Sequence, residues 1–202
     1  MTTRRLILLL APALTVLGID QWTKWVIRTT PGLHNKTIID GWLSFYYTQN
    51  PGMAMGIEFL STPVISAIAI IATVGILIYI LKGIGVAKPM YLFTMGLVIG
   101  GALGNITDRL IMGYIEGYGG VLEGHVVDFI HFDLVIGDWP VFPYIFNVAD
   151  IAISVSIIFL ILFNKQFFPS EKKETADTES VLEEPTTPFD GLNTEEERTA
   201  ES

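Results

Sequence analysis

Val126-Val127-Asp128-Phe129-Ile130 and Phe146-Asn147-Val148-Ala149-Asp150 bound one stretch of 25 residues that lies between two long apolar runs. Each end carries a carboxylate where a carboxylate is expensive. An ionisable side chain at membrane depth is rare and calls for a named partner. We read Asp128 and Asp150 as partners. Two carboxylates that meet in a partly desolvated site resist ionising together and tend to share a proton, so that one acts as base and the other as acid.

The composition around that stretch is that of an integral membrane protein. Of 202 residues 50% are hydrophobic, and the mean hydropathy is +0.51. Both exceed what a soluble domain of this size normally carries. The net charge of −9 is misleading as a whole-chain figure. Residues 170–202 hold eleven acidic and three basic residues, net −8, which leaves −1 for residues 1–169. The acidity belongs to a polar appendage and says nothing of a nucleic-acid or substrate partner. Cysteine is absent, which excludes disulfides, thiol nucleophiles and cysteine-ligated metals.

Working outward, Asp150 opens an apolar segment expected as a transmembrane helix from about Val141 to Phe163, with Asn147 and Asp150 on its first turns. On the other side, the loop from Gly113 to Pro140 has five glycines between 113 and 124 and contains His125, His131, Asp133 and Asp138. Their spacing matches no compact metal-ligand motif, so no metal is expected. A third span, from about Met90 to Met112, carries Gly96, Gly100 and Gly104 at every fourth position, where small residues let helix backbones approach closely. Asn105, Asp108 and Arg109 follow at i, i+3 and i+4 and share one face; they either lock the bundle as an ion pair with an amide or serve the site. The second span, Pro63 to Leu81, is uniformly apolar and reads as scaffold.

Residues 28–62 form a polar and aromatic connector with turn signals at Pro31-Gly32, Asp40-Gly41 and Pro51-Gly52. Trp42-Leu43-Ser44-Phe45-Tyr46-Tyr47-Thr48 favours strands, which predicts a small strand pair on the membrane surface. Arg4-Arg5 with Leu6 to Ile19 has the ingredients of a secretory signal peptide. A first transmembrane helix from about Leu6 to Ile27 fits better, because roughly 20 residues span the hydrocarbon core and further apolar segments follow. Its far end carries Asp20 and Lys24, four apart on one face between Trp22 and Trp25, a spacing that suits an interfacial ion pair.

Arg4 and Arg5, then Lys82 and Lys88, then Lys165, Lys172 and Lys173 place both termini in the cytoplasm by the positive-inside rule. Asp20, Asn50, Asn105, Asp108, Asp128, Asn147 and Asp150 then collect at the extracytoplasmic ends of the helices. The expected fold is an all-α membrane protein of four transmembrane helices, with a small extracytoplasmic β-containing element between helices 1 and 2. It occupies residues 1–165 and is followed by a disordered, catalytically dispensable cytoplasmic tail at 166–202, acidic and poor in apolar residues.

Asp20-Gln21-x-x-Lys24, Asn50-x-Gly52-x-Ala54, Gly100-Gly101-Ala102-x-Gly104-Asn105-x-x-Asp108-Arg109, Val126-Val127-Asp128-Phe129 and Phe146-Asn147-x-Ala149-Asp150 closely resemble, in order and across about residues 6–165, the motifs of lipoprotein signal peptidase (signal peptidase II). The resemblance implies an aspartyl endopeptidase of the bacterial inner membrane. Its substrate would be a diacylglyceryl-modified prolipoprotein, cut just before the lipidated cysteine. The family's catalytic dyad falls on Asp128 and Asp150, and its supporting residues on Asp20, Lys24, Asn50, Gly104, Asn105, Asp108, Arg109 and Asn147. It implies no cofactor, no nucleic acid, contact with membrane lipid and a monomeric enzyme. Met53 and Met55, a longer 113–125 and a longer tail depart from the family pattern.

The residues themselves agree, since hydrolysis of a peptide needs an activated water and a proton donor to the leaving amine, both of which a proton-sharing carboxylate pair supplies. Asn147 and Arg109 are suited either to orient the dyad or to hold the substrate backbone. The glycine-rich 113–125, with Tyr114 and Tyr118, is expected to be a mobile flap over the pair. The rival readings are a small proton- or ion-coupled transporter with a charged relay, and a lipid-binding scaffold that needs no dyad.

Overall fold

A computed structural model describes residues 2–52 and 60–167 of the chain. Met53, Ala54 and Met55, and the acidic tail with the expectations attached to it, lie outside the described residues. Helix α1 (Thr2–Thr29), strands β1 (Asn35–Ile39) and β2 (Leu43–Asn50), helices α2 (Thr62–Gly83) and α3 (Pro89–Ile115), strands β3 (Val126–Phe132), β4 (Val135–Ile136), β5 (Trp139–Pro140) and β6 (Ile145–Phe146), and helices α4 (Val148–Leu162) and α5 (Asn164–Phe167) follow in that order. Three of the helices, α1, α2 and α3, are long and apolar enough to cross a membrane, and α4 is a shorter apolar helix of 15 residues.

Glycine spacing explains why α3 is the middle helix. Gly96 and Gly100 lie against the backbone of α1 at Leu9 and Ala13, and Gly104 lies against the Asp20 side chain. A methyl on Gly100 would stand 2.5 Å from the carbonyl oxygen of Ala13. Gly101, on the adjoining face, meets α4 in the same way, 2.6 Å from the carbonyl oxygen of Ala149. Close backbone approach through small residues is how helices associate where lipid removes the hydrophobic drive between them. Around this seam Leu9, Ala13, Ile80, Leu92, Met95 and Ile99 form an apolar core. Helix α2 is apolar on every side and buries only Ser66, Thr73 and Ile80, seven residues apart, as a narrow seam. The two hydroxyls there stay satisfied by donating to the carbonyls of Thr62 and Ala69.

The sheet is larger than the expected strand pair. β1 and β2 form it together with β3 and β6, in the antiparallel order β1-β2-β3-β6. Val126–Phe132 is thus a strand and not simply a loop that delivers Asp128. Its Val, Phe and Ile favour a pleated, half-buried surface, and the aspartate in their midst hides the pattern. Alternation along β3 sends Val127 and Phe129 into a second core with Ile27 and Met112, which ties the sheet to the ends of α1 and α3, and leaves Asp128 on the opposite face.

Helix α4 begins later than the sequence suggested, at Val148 and not near Val141. Pro140 and Pro143 disfavour helix in the residues before them, and Ile145 and Phe146 pair with His131 and Ile130 of β3. Asn147 therefore sits before the first turn as its cap.

Candidate active site

Asn147 brings the two carboxylates together. Its side-chain oxygen accepts the backbone N–H of Asp150 (3.0 Å), and its own backbone N–H donates to Asp150 Oδ2 (3.1 Å), a reciprocal capping box. Its Nδ2 is then free to turn outward and donates to Asp128 Oδ1 at 2.6 Å. One residue thus holds both carboxylates, that of Asp128 through its side-chain amide and that of Asp150 through its backbone N–H. Asp128 also accepts from Asn50 Nδ2 (3.1 Å), and Asp150 Oδ1 accepts from Asn105 Nδ2 (2.8 Å). The amide orientations are fixed by neighbours that can only donate. Gly52 N–H holds the oxygen of Asn50, Lys24 Nζ that of Asn105, and Asp150 N–H that of Asn147. Burial first, and then the charge of Asp150, pushes the Asp128 carboxyl up to about 7, against the smaller opposing pull of the Asn50 and Asn147 amides.

Behind the pair lies a second layer built around buried charge. Lys24 Nζ touches Asp20 Oδ2 (2.9 Å), Asp108 Oδ2 (2.8 Å) and Asn105 Oδ1 (3.0 Å). The other contacts of those carboxylates explain why the arrangement exists. Asp20 Oδ1 accepts the backbone N–H of Ala149 (2.9 Å), and Asp108 Oδ2 accepts that of Val127 (3.1 Å). Each grips the residue immediately before one of the paired aspartates, and one ammonium neutralises both grips. Asp20 and Lys24 are therefore an ion pair, as their spacing suggests, but a buried one that reaches α3, β3 and α4, not an interfacial one. Gly104 is glycine because a methyl there would lie 2.5 Å from Asp20 Oδ2.

Gln21, given no role from sequence, belongs to this layer. Its Nε2 donates to Asp108 Oδ1 (2.9 Å) and to the Gly104 carbonyl (3.0 Å). Its place next to Asp20 in the first motif was the available signal. Arg109 Nη1 donates to the Asn105 carbonyl (3.1 Å), while its buried Nε has no partner among the described residues. The guanidinium lies within electrostatic reach of Asp108, Asp128 and Asp150. All ten residues singled out from the sequence thus meet in one connected set around Asn147.

The glycine-rich turn after α3 is fastened at several points. Gly124 N–H donates to the Arg109 carbonyl (3.1 Å), His125 N–H donates to the Tyr118 hydroxyl (2.7 Å), and the Leu122 carbonyl lies 2.8 Å from Ser66 Oγ, sharing its one proton with the Thr62 carbonyl. His131 pairs with Asp133 at 2.8 Å. Among the described residues no three His, Asp or Glu side chains gather closely enough to hold a metal ion.

A family model described as Signal peptidase (SPase) II matches residues 12–165. A lipoprotein signal peptidase of Chlorobium phaeovibrioides (strain DSM 265 / 1930) is 37% identical over 164 residues, covering 77% of this chain and 89% of its own. One of Syntrophus aciditrophicus (strain SB) is 35% identical over 167 residues, covering 78% and 91%. A bacterial membrane enzyme solved by the in meso method at 2.3 Å superposes with a TM-score of 0.59 at 30% identity, over 81% of this chain and 92% of that one. Matched along most of its length by the family model and by relatives above 30% identity, the chain belongs to the signal peptidase II family.

Proposed function

We propose that this protein is an aspartic endopeptidase that removes the signal peptide from diacylglyceryl-modified prolipoproteins, cutting before the lipidated cysteine, with Asp128 and Asp150 as its catalytic pair. The observation that carries the reading is the pair of carboxylates on separate elements, β3 and the first turn of α4, held by the side chain and the backbone N–H of one asparagine at one end of an apolar bundle. The names of the relatives give the substrate class.

In this mechanism Asp150 is the base. It stands on the first turn of α4, one oxygen held by the Asn105 amide and the other by the backbone N–H of Asn147. Asp128, its carboxyl held protonated by burial until about pH 7, is the acid. Asp150 takes a proton from water as the oxygen attacks the scissile carbonyl, and Asp128 gives its proton to the carbonyl oxygen. When the tetrahedral intermediate collapses, the proton on Asp150 passes to the leaving amine, and the hydroxyl proton returns to Asp128. Arg109 Nε, without a partner among the described residues, is a buried donor suited to a substrate carbonyl.

The finer topology belongs to the same reading. α4 completes four spans, both termini face the cytoplasm of a bacterial inner membrane, the sheet and the pair lie at the extracytoplasmic face, and the enzyme works as a monomer. A transporter would need polar groups spaced along its helices. Here α1 has no Asp, Glu, Lys, Arg or His between Leu6 and Ile19, α3 none between Met90 and Gly104, and α4 none beyond Asp150. The test is cleavage of a purified diacylglyceryl-modified precursor in detergent with a chelator present. Release of the signal peptide supports the proposal. No cleavage of it, together with solute flux across sealed vesicles, would favour the transporter.

A further inference from the structure

The β4–β5 hairpin is the least accounted-for surface of the molecule. Its two-residue loop, Gly137-Asp138, joins Ile136 to its partner Trp139. Gly137 has φ +63°, as the first central position of a tight hairpin turn requires. The side chains around this turn are apolar and turned outward: Val135 is 54% exposed, Ile136 70% and Trp139 80%. Yet the hairpin is firmly rooted. Val141 N–H donates to the Leu134 carbonyl (2.9 Å), Asp133 N–H to the Trp42 carbonyl (3.0 Å), and Phe132 packs against Trp42, Phe142 and Phe146. A contiguous exposed apolar tip on a rigid base marks an interaction site.

We propose that this hairpin is a membrane anchor, its Val135, Ile136 and Trp139 seated in the interfacial layer of the bilayer so that the sheet bearing Asp128 is held at the lipid surface. Three features select lipid over a protein partner. Between Leu134 and Phe142 the only charge is Asp138, so the tip lacks the charged and polar rim of a protein docking site. Exposed Phe142 and Tyr144 continue the apolar surface along the chain to α4, whose Ile151, Val155, Ile158 and Leu162 form an exposed stripe at helical spacing. Length sets the depth. The 15 residues of α4 reach about 22 Å, short of a hydrocarbon core of about 30 Å, and α5 opens with polar Asn164. The shortfall of about 8 Å draws the residues just before Asn147 down to the level where tryptophan and tyrosine concentrate in membrane proteins. The anchor does not depend on which bond the enzyme cuts.

The absence of native cysteine makes the test direct. Single nitroxide labels are placed at Ile136→Cys and Trp139→Cys in the full chain reconstituted in phosphatidylcholine–phosphatidylglycerol vesicles, with labels at Val155→Cys on α4 and at Lys36→Cys on exposed β1 as references. Collision with oxygen is compared with collision with a water-soluble nickel chelate. Preferential oxygen contact at 136 and 139, with the sign seen at 155, supports the anchor. Nickel contact equal to that at 36 overturns it, as does protection from both reagents, which would mean burial against protein. Nickel contact at 155 as well would instead overturn the reading of α4 as a span. A second measurement keeps the native hairpin: quenching of tryptophan fluorescence by lipids brominated high in the acyl chain, compared between the parent and Trp139→Phe. A smaller quenched component in the variant supports the anchor, and an unchanged one overturns it.

Discussion

Replacing Lys24 by methionine keeps an unbranched side chain, one heavy atom shorter, and removes the ammonium with its charge and its bond to Asn105. In the folded protein that charge lies 2.9 Å from Asp20 and 2.8 Å from Asp108, with the three side chains at most 4% exposed. Breaking one buried pair by deleting a partner costs roughly 3–5 kcal/mol, because it leaves a charge without compensation. Here one deletion strands two carboxylates, so about 3 kcal/mol is the floor unless one of them takes up a proton. On the scale of domains of similar length this lowers the thermal midpoint by at least about 6 °C. Activity falls further than stability, since Asp20 and Asp108 hold the backbone at Ala149 and Val127, next to the proposed catalytic pair. The assay is thermal unfolding in nanodiscs alongside cleavage of the lipidated precursor for Lys24→Met, Asp108→Asn and the double variant. The double variant, left with one carboxylate, recovers part of the stability. A loss below about 1 kcal/mol for Lys24→Met, the ceiling for an exposed pair, would refute the reasoning, and so would a double variant less stable than Lys24→Met alone.

Further predictions come from the same geometry. Folded Asp128 keeps its proton to about 7 while the unfolded carboxyl releases it near 3.8, so the unfolded chain binds fewer protons in between. This group's contribution to stability therefore declines as pH rises from about 4 to about 7 and is constant above that, and peptidase activity has an alkaline limb near pH 7. Removing the Asn50 amide in Asn50→Leu deletes a bond that favours the carboxylate and moves that limb to higher pH; movement to lower pH counts against Asp128 as the acid. Gly104→Ala drives a methyl against Asp20 and costs roughly 1–3 kcal/mol as an overpacked site. Gly75→Ala in α2, where nothing lies within 4 Å, is neutral or stabilising in the same unfolding experiment.

The parts of this design legible in the sequence are those with a local signature. Asp128 and Asp150 stand out because carboxylates are conspicuous among apolar runs, and α1, α2 and α3 because their length and hydropathy suffice. The strand at Val126–Phe132 was not legible, because its pairing lies with β2, nearly eighty residues away, and a central aspartate masks its alternation. The start of α4 was missed for a related reason: Asn147 and Asp150 look like polar residues inside a helix until their mutual capping bonds place one of them outside it. Least visible of all were the grips of Asp20 on Ala149 and of Asp108 on Val127, which join a side chain to a backbone N–H that carries no residue signature.

The central claim is that Asp128 and Asp150 act as one catalytic unit. The most direct measurement is single-turnover cleavage of a diacylglyceryl-modified precursor by Asp128→Asn, Asp150→Asn and the double variant, each verified as folded in nanodiscs. Asparagine is nearly isosteric with aspartate but cannot exchange the proton, so either single change abolishes cleavage. Groups that work as a unit are non-additive, so the double variant is little worse than either single one. Substrate binding is expected to survive in all three, since in the proposed function the apolar bundle and not the carboxylates holds its acyl chains and signal helix. Robust cleavage by either single variant would contradict the account.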